Sequence, residues 1–281
     1  MPGPPTVRLR RLASELRRLR AGAGLTREDV ADRTGIDRAT LYRIETARAR
    51  PQARTLRALL ELYGADEAKR DELLDLARGA ARRGWLSPYD LPAQYTMYIG
   101  FEAEAASLLN FECSHVPGLL QTEDYARAAI RRGMPDGSRE DIENRIRARI
   151  GRQELLHGNS PLKLWAIADE AVLRRLVGGR AVMRAQLDHI AEMADLPNVT
   201  FQVIPFSAGA HPGMSGEFVI LRFEEPVGAD VVYIESMAGD LFLEEPSEIG
   251  RYATTFEHLR ALALPPDASV ALVREVAGEE E

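Results

Sequence analysis

Four residues between positions 38 and 43 have side chains that can contact a base pair if they share one exposed helix face. Leu41 and Ile44 have the spacing of a buried helix face. If they point inward, the side chains on the opposite face are those of Arg38, Ala39, Tyr42 and Arg43. An arginine near the start of such a helix can donate two hydrogen bonds to a guanine edge, worth roughly 1 to 3 kcal/mol of discrimination. The stretch therefore predicts recognition of double-stranded DNA.

Two short helices joined by a glycine turn are needed to position this face. Thr26 is the expected N-cap of the first helix, and Asp29 three positions later completes a capping box. Asp37 is the expected N-cap of the second helix. Gly35 permits a positive φ between them, and Ala31 is small enough for the helices to cross closely. The pattern predicts a helix-turn-helix; the alternative is a helical pair packed in the core of another kind of protein.

Residues 25 to 51 resemble the XRE family, the lambda-repressor-like helix-turn-helix regulators. The resemblance is carried by Leu25-Thr26, the spacing of Ala31, Gly35, Leu41 and Ile44, and Arg43-Ile44-Glu45 followed by Pro51. The resemblance implies a domain of five short helices around one core.

The resemblance also implies roles for particular residues. The implied base contacts are Arg38, Ala39 and Arg43, and the implied phosphate contacts are Thr26, Arg27 and Thr40. An ion pair between Arg20 and Glu45 is expected to tie the first helix to the end of the recognition helix. Many relatives have glycine where this chain has Ala47, and many have glutamine where it has Arg27.

Length and composition limit the class of protein. A chain of 281 residues, 45% hydrophobic and 28% charged, is long enough for two globular domains. The single cysteine, Cys113, excludes an internal disulfide and any multi-cysteine metal site. No apolar run reaches the roughly 18 residues needed to span a membrane, and the charged N-terminus lacks the apolar centre of a signal peptide. We therefore expect a cytoplasmic protein without membrane association.

The net charge of −7 is divided unevenly along the chain. Residues 1–84 contain 19 basic and 12 acidic residues, a balance of +7, and the rest contains 17 basic and 31 acidic residues, a balance of −14. A basic domain can gain affinity for DNA by releasing counterions from phosphates while an acidic domain faces away.

Helical and strand periodicity predicts a multidomain protein, an all-α domain followed by an α+β domain with a mixed or antiparallel sheet. The predicted divisions are a DNA-binding domain at 1–81, a connector at 82–98, an effector, partner-binding and dimerisation domain at 99–268, and an acidic tail at 269–281. The connector is expected to pack on the second domain because Trp85 and Tyr89 are too apolar for a free linker. In the second domain, 99–112 and 246–264 are expected to be helical. The predicted strands are 162–168, 199–204, 218–223, 231–234 and 241–243.

From Trp85 to about Leu264 the chain resembles the large domain that accompanies XRE modules in actinobacterial WhiJ-like, antitoxin-like regulators. The residues that carry this resemblance are Glu102-Ala-Glu104, Val116–Thr122, Tyr125-Ala126, Arg152-Gln153, Asp169-Glu170, Leu173, Val177-Gly178-Gly179, Met183, Gln186-Leu187 and Val203–Phe206. It implies a small partner protein encoded nearby.

Three features of the second domain have side chains suited to chemistry. Cys113 and His115 lie two positions apart, but no second cysteine or recurrent histidine spacing supports a metal site or a nucleophile. Asp169-Glu170 is more typical of a helix cap than of an acid–base pair. The loop 207–216, with His211, is either a lid or partner loop or a long hairpin connection.

These observations leave three hypotheses for function. The first is a sequence-specific regulator that binds operator DNA, including its own promoter, as a homodimer and binds a small partner protein. The second is a regulator whose α+β domain senses a small molecule, and the third is an enzyme fused to a DNA-binding domain. No phosphate-binding loop or dinucleotide motif is present. We therefore expect no cofactor, no metal, no catalytic residue and no enzyme activity.

Overall fold

The computed structural model describes residues 7–79, 91–224 and 230–279, and the chain divides into two compact units. The first unit contains five helices: α1 (Val7–Gly22), α2 (Arg27–Thr34), α3 (Arg38–Glu45), α4 (Ala53–Leu62) and α5 (Glu67–Gly79). Within the described ranges, no helix has both the length and the hydropathy needed to cross a bilayer.

One apolar core holds these five helices together. Leu12 and Leu16 of α1 are fully buried. They meet Val30 of α2 and Leu41 and Ile44 of α3. The apolar faces of α4 and α5 complete the core, chiefly through Leu56, Leu59, Leu60 and Leu73. The all-α first domain is confirmed.

The caps around the glycine turn have the expected geometry. The Thr26 hydroxyl accepts a hydrogen bond from the Asp29 backbone N–H, and the Asp29 carboxylate accepts one from the Thr26 backbone N–H. Asp37 accepts from the Thr40 N–H at 2.9 Å. Gly35 has φ 70°, the left-handed region that its lack of a Cβ favours. Local sequence chemistry thus accounts for both helix starts and the turn.

The second unit combines helices with six strands. Its helices are α6 (Ala93–Glu104), α7 (Glu123–Gly133), α8 (Arg139–Gly151), α9 (Glu170–Arg174), α10 (Arg180–Met193), α11 (Pro246–Leu262) and α12 (Pro266–Glu279). Its strands are β1 (Ser107–Glu112), β2 (Lys163–Asp169), β3 (Val199–Ile204), β4 (Phe218–Arg222), β5 (Val231–Ile234) and β6 (Leu241–Leu243). Short 3-10 turns occupy Gly118–Leu120, Arg152–Leu156, Phe206–Ala208 and Pro212–Ser215.

The strands form one mixed sheet in the order β3-β2-β1-β4-β5-β6. β1 and β2 are parallel, with Leu109 opposite Trp165, and β2 and β3 are parallel as well. β4 is antiparallel to β1, and β5 and β6 continue in antiparallel pairing. Phe256 and Leu259 of α11 pack on one face of the sheet. The prediction of an α+β domain is confirmed.

The loop between β3 and β4 does not close a hairpin. β3 lies at the sheet edge and β4 pairs with β1, so this connection crosses the carboxyl ends of β2 and β1. The hairpin alternative for residues 207–216 is therefore wrong. The physical reason is that the parallel strands β1 and β2 occupy the positions between β3 and β4.

Two expected divisions of the second domain need correction. Residues 93–98 belong to α6 rather than to a connector, and 107–112 form β1 rather than a helix. The four consecutive residues Leu108 to Phe111, including the polar Asn110, are all buried. A segment that is buried on both faces lacks the alternation of a half-buried strand, so its sequence does not distinguish a central strand from a buried helix. Residues 82–90 of the connector, with Trp85 and Tyr89, lie outside the described residues.

The expected acidic tail at 269–281 is also wrong as far as residue 279, because this segment forms most of α12. Val273 and Val276 are buried at helical spacing. The hydroxyl of Ser269 accepts a hydrogen bond from the Val203 N–H at 3.0 Å, which satisfies an outward backbone group of the edge strand β3. The buried valines and the hydrogen bond between Ser269 and β3 together stabilise this acidic segment as a helix that packs on the second unit.

Candidate nucleic-acid interface

The outer face of α3 carries the four residues expected to contact bases. Arg38, Ala39, Tyr42 and Arg43 are exposed, and Tyr42 is 41% exposed although it is a large aromatic residue. Leu41 and Ile44 are buried on the opposite face. The helical period therefore separates one apolar face from one face of two arginines and a tyrosine, as the sequence predicts.

The two arginines of this face have only weak local partners. Arg38 Nη2 lies 2.7 Å from Glu28 Oε1, and both side chains are more than half exposed. Arg43 Nη2 donates to the Thr40 hydroxyl at 2.9 Å. An exposed ion pair such as that of Arg38 is worth about 0 to 1 kcal/mol, and the exposed hydrogen bond of Arg43 to a neutral hydroxyl is worth about 0.5 to 1.5 kcal/mol. Neither contact prevents the guanidinium from turning to a base edge.

Glu45, at the end of α3, is the buried centre of an ion-pair network. The residue is 1% exposed, and its Oε1 lies 2.5 Å from Arg20 Nε of α1. Its Oε2 accepts from Arg27 Nε of α2 at 2.7 Å. Arg20 also donates from Nη1 to the Leu25 carbonyl at 2.7 Å, between α1 and α2. One carboxylate thus fixes α1 and α2 against the end of the recognition helix.

Arg27 has a second neighbour on the exposed side. Its guanidinium lies 5.3 Å from the centre of the Tyr42 ring, and that of Arg48 lies 5.6 Å from the same ring. The Arg27 side chain keeps 35% exposure while its Nε is bonded to Glu45. Sequence spacing did not reveal the contacts of Arg27 with Glu45 or of Arg48 with Tyr42, because Arg48 follows the helix end and Arg27 belongs to another helix.

Thr26 and Thr40, the two threonines expected to contact phosphates, lie in the first turns of their helices or just before them. Thr26 is exposed, and Thr40 is partly exposed. Hydrogen bonds from the Thr26 side chain and backbone lower the pKa of Asp29, and those from Thr40 lower the pKa of Asp37. Helix N-termini present unpaired N–H groups that favour a phosphate. The structure places these residues suitably, and their contacts with DNA stay a prediction.

Cys113 and His115, two of the candidates for chemistry in the second unit, each have a polar partner nearby. Cys113 Sγ donates to Glu217 Oε2 at 3.3 Å, and burial raises the pKa of its thiol to about 12. His115 is exposed, and its Nδ1 lies 2.8 Å from the Ser114 hydroxyl. Thiol nucleophiles act as thiolates, and a thiol with this pKa is protonated at neutral pH.

Asp169 and Glu170 hold the long loop after β3. Asp169 caps α9 by accepting from the Ala171 N–H at 2.8 Å, and its other oxygen lies 3.1 Å from His211 Nε2. Glu170 accepts from the Phe206 N–H at 2.8 Å. The contact between His211 and Asp169 could not be predicted from the sequence. It depends on the order of the strands in the sheet, which takes the loop across the carboxyl end of β2. In the described part of the chain, no group of three or more His, Cys, Asp or Glu side chains is placed to hold a metal ion.

Two family models match the chain, one in each of its two units. Residues 11–73 match a helix-turn-helix domain (HTH_31), and residues 95–275 match a domain of unknown function (DUF5753). Searches of curated proteins and of solved structures gave no match. With an exposed basic face on α3, the first unit is a helix-turn-helix domain, the kind of domain found in DNA-binding regulators. The DUF5753 match covers more than half of the sequence, so the chain belongs to the DUF5753 family.

Proposed function

We propose that this protein is a sequence-specific transcriptional regulator that binds operator DNA as a homodimer. The observation that carries the proposal is the outer face of α3, where Arg38 and Arg43 are exposed beside Ala39 and Tyr42. Bidentate contacts from arginine to guanine are a common means of base recognition in the major groove. A regulator of this kind acts in the cytoplasm, where bacterial DNA lies.

The second unit is proposed to bind a small partner protein, as in the WhiJ-like, antitoxin-like regulators that it resembles. The support is that resemblance, together with the balance of −14 after residue 84, which suits a surface facing away from DNA. On this proposal the partner changes DNA binding through the second unit.

The proposed mechanism is binding rather than catalysis. Support comes from the thiol of Cys113, whose pKa is raised to about 12, and from Asp169, whose carboxylate is used as a helix cap and as a partner of His211. A nucleophile needs a lowered pKa or an adjacent base. Turnover that is abolished by changing Cys113, His115 or Asp169 would contradict this part of the proposal.

The experiment that tests DNA recognition is selection from random duplexes, followed by footprinting on the DNA that flanks the gene. An enriched motif with two-fold symmetry, protected at nanomolar protein, is expected. Footprints with and without the product of the neighbouring gene test the partner, since the partner is expected to change protection. Failure to enrich any motif would refute sequence-specific binding.

A further inference from the structure

A cluster of arginines surrounds Tyr95 in the second unit. Arg152 is buried, and its guanidinium donates from Nε and Nη2 to Glu102, at 2.5 and 2.6 Å. Its Nη1 donates to the Tyr95 hydroxyl at 3.2 Å. Tyr98 donates to the same Glu102 carboxylate at 3.0 Å. Arg152 and Glu102 thus form a closed pair with one positive and one negative charge.

Two further arginines lie beside this closed pair without a carboxylate. Arg149 donates from Nε to the Tyr95 hydroxyl at 3.3 Å and from Nη1 to Gln121 Oε1 at 3.0 Å, and both partners are neutral. The guanidinium of Arg145, one turn earlier in α8, lies 5.5 Å from the centre of the Tyr95 ring. Among the described residues, no carboxylate oxygen lies within 4.0 Å of either guanidinium. Arginine remains charged in proteins, so this face of α8 has an excess of positive charge.

Two acidic groups, Glu112 and Glu235, act on Arg149 through their charges but form no ion pair with it. Glu112, at the end of β1, has a pKa raised to about 8, first by burial and then by the neighbouring charge of Glu217. Its carboxyl is therefore mostly protonated at neutral pH. Glu235 also acts on Arg149 through its charge, but it is exposed. Burial raises the pKa of Tyr95, but the charges of Arg149 and Arg152 outweigh burial and leave the pKa below its usual value.

We propose that Arg145 and Arg149 form a binding site for a small molecule that carries an oxyanion, a carboxylate or a phosphate. Both residues are partly exposed, so a ligand can reach them. A guanidinium matches the two oxygens of such a group with two parallel hydrogen bonds. The Tyr95 ring supplies an aromatic surface beside the anion.

Energetics also favour a site rather than a purely structural role. Like charges one turn apart on a helix repel, and neither Arg145 nor Arg149 has a carboxylate within ion-pair distance among the described residues. Functional sites commonly retain such groups at a cost in stability. The unliganded protein is therefore expected to tolerate, or gain stability from, neutral replacement of Arg149. This inference is independent of DNA binding by the first unit.

The test uses the full-length protein with inorganic phosphate and with succinate as probes, each compared with sodium chloride at equal ionic strength. Calorimetric titration and melting curves are expected to show saturable binding of at least one of the two anions. The one that binds identifies the oxyanion class. Arg149→Gln is expected to weaken this affinity about 10- to 100-fold, the loss expected for hydrogen bonds to a charged group.

The matched control is Arg147→Gln, which removes an exposed arginine from the same helix. This variant is expected to bind the anion as the unmodified protein does, which excludes a general effect of charge. The melting temperature of Arg149→Gln without anion is expected to equal or exceed that of the unmodified protein. Arg145→Gln is a second test variant and is expected to show the same loss of anion affinity.

Three results would overturn the proposal. One is the absence of saturable binding for both anions, and another is equal affinity in the unmodified protein and Arg149→Gln, which places the anion elsewhere. The third is an Arg149→Gln variant that fails to fold or is clearly less stable without anion, because this would show that Tyr95 and Gln121 already satisfy the guanidinium as a structural group.

Discussion

At the scale of single residues, the carboxylate of Glu45 links three of the five helices of the first unit. It lies at the end of α3 and contacts Arg20 of α1 and Arg27 of α2. A buried ion pair contributes little net stability compared with apolar residues, but removal of one partner leaves the other charge without compensation. The position of the recognition helix therefore depends on a group that does not itself face outward.

Glu45→Ala is expected to destabilise the first unit by about 3 kcal/mol, because Arg20 loses its carboxylate at a largely buried junction. Hydrogen exchange of α1 and α3 peptides in the full chain measures this effect. Glu28→Ala is the control, since it breaks the exposed pair with Arg38 and is expected to change stability by less than about 0.5 kcal/mol. Equal exchange in the two variants would show that the Glu45 network is not structural.

Arg38→Ala and Arg43→Ala are expected to weaken binding to the selected DNA site much more than binding to random DNA, because we propose that these exposed arginines of α3 contact base edges. Thr26→Ala and Arg27→Ala are expected to weaken both about equally and to reduce the salt dependence, as loss of phosphate contacts does. Binding titrations at several salt concentrations separate the two groups. For Arg27→Ala, a stability measurement is required because Glu45 also loses a partner. Equal losses on both DNAs for Arg38 and Arg43 would contradict the assignment.

The free energy of unfolding of the second unit is expected to depend on pH through Glu112. Its folded pKa of about 8 lies above the value of 4.5 for a free glutamate, so the folded state favours the protonated carboxyl. Its contribution to stability is therefore complete below pH 4.5 and is lost as pH rises towards about 8. Glu112→Gln is expected to make the unfolding free energy of the second unit less dependent on pH across this window. Calorimetry checks this, with exposed Glu140→Gln as a control that is expected to keep the original dependence.

At the scale of elements, Ala47 lies just after the end of α3. It is the one residue other than glycine that has a positive φ among the described residues. Ala47 has φ 55°, and the Arg48 and Ala49 N–H groups bond to the Arg43 carbonyl at 2.7 and 3.0 Å. A left-handed residue after a helix commonly closes it in this way, and glycine adopts that conformation without the Cβ penalty. The glycine that many relatives have at this position thus matches the observed backbone.

Ala47→Gly is expected to be less destabilising than Ala58→Gly by about 1 kcal/mol. Ala58 lies within α4, where glycine loses helix propensity, whereas the conformation of Ala47 strains a residue that has a Cβ. Denaturant titration of both variants checks the difference. Equal destabilisation would indicate that the burial of the Ala47 methyl group outweighs its backbone strain.

At the scale of the whole molecule, one recognition helix contacts only a few base pairs. Helix-turn-helix proteins therefore usually bind as symmetric dimers on half-sites about 34 to 36 Å apart. All five helices of the first unit contribute apolar side chains to its own core. We therefore expect the dimer contact in the second unit or in the segment 82–94.

Light scattering of the full chain is expected to give a dimer, whereas residues 1–81 alone are expected to be monomeric and to bind DNA weakly. A partner at the second unit is then expected to act by changing the spacing of the two DNA-binding units. A full-length monomer that still protects a two-fold symmetric operator at nanomolar concentration would contradict this arrangement.

Sequence alone determined the local architecture of the first unit. The Thr26 and Asp37 caps, the Gly35 turn and the buried face of Leu41 and Ile44 all depend on residues within about four positions of one another. Interactions over such distances are specified by side-chain type and helical period. The exposed face of α3 could therefore be predicted before any tertiary contact was known.

Only the tertiary structure decided which distant residues meet. Three features depend on how separate elements pack: the contact of Arg27 with Glu45, the contact of His211 with Asp169, and the position of the two arginines of α8 that have no carboxylate partner. The acidic segment after residue 268 became a helix for the same reason, since Val273, Val276 and Ser269 find partners in the second unit. Local patterns specify a segment's conformation, but charge compensation and edge capping depend on groups that the fold brings together from elsewhere in the chain.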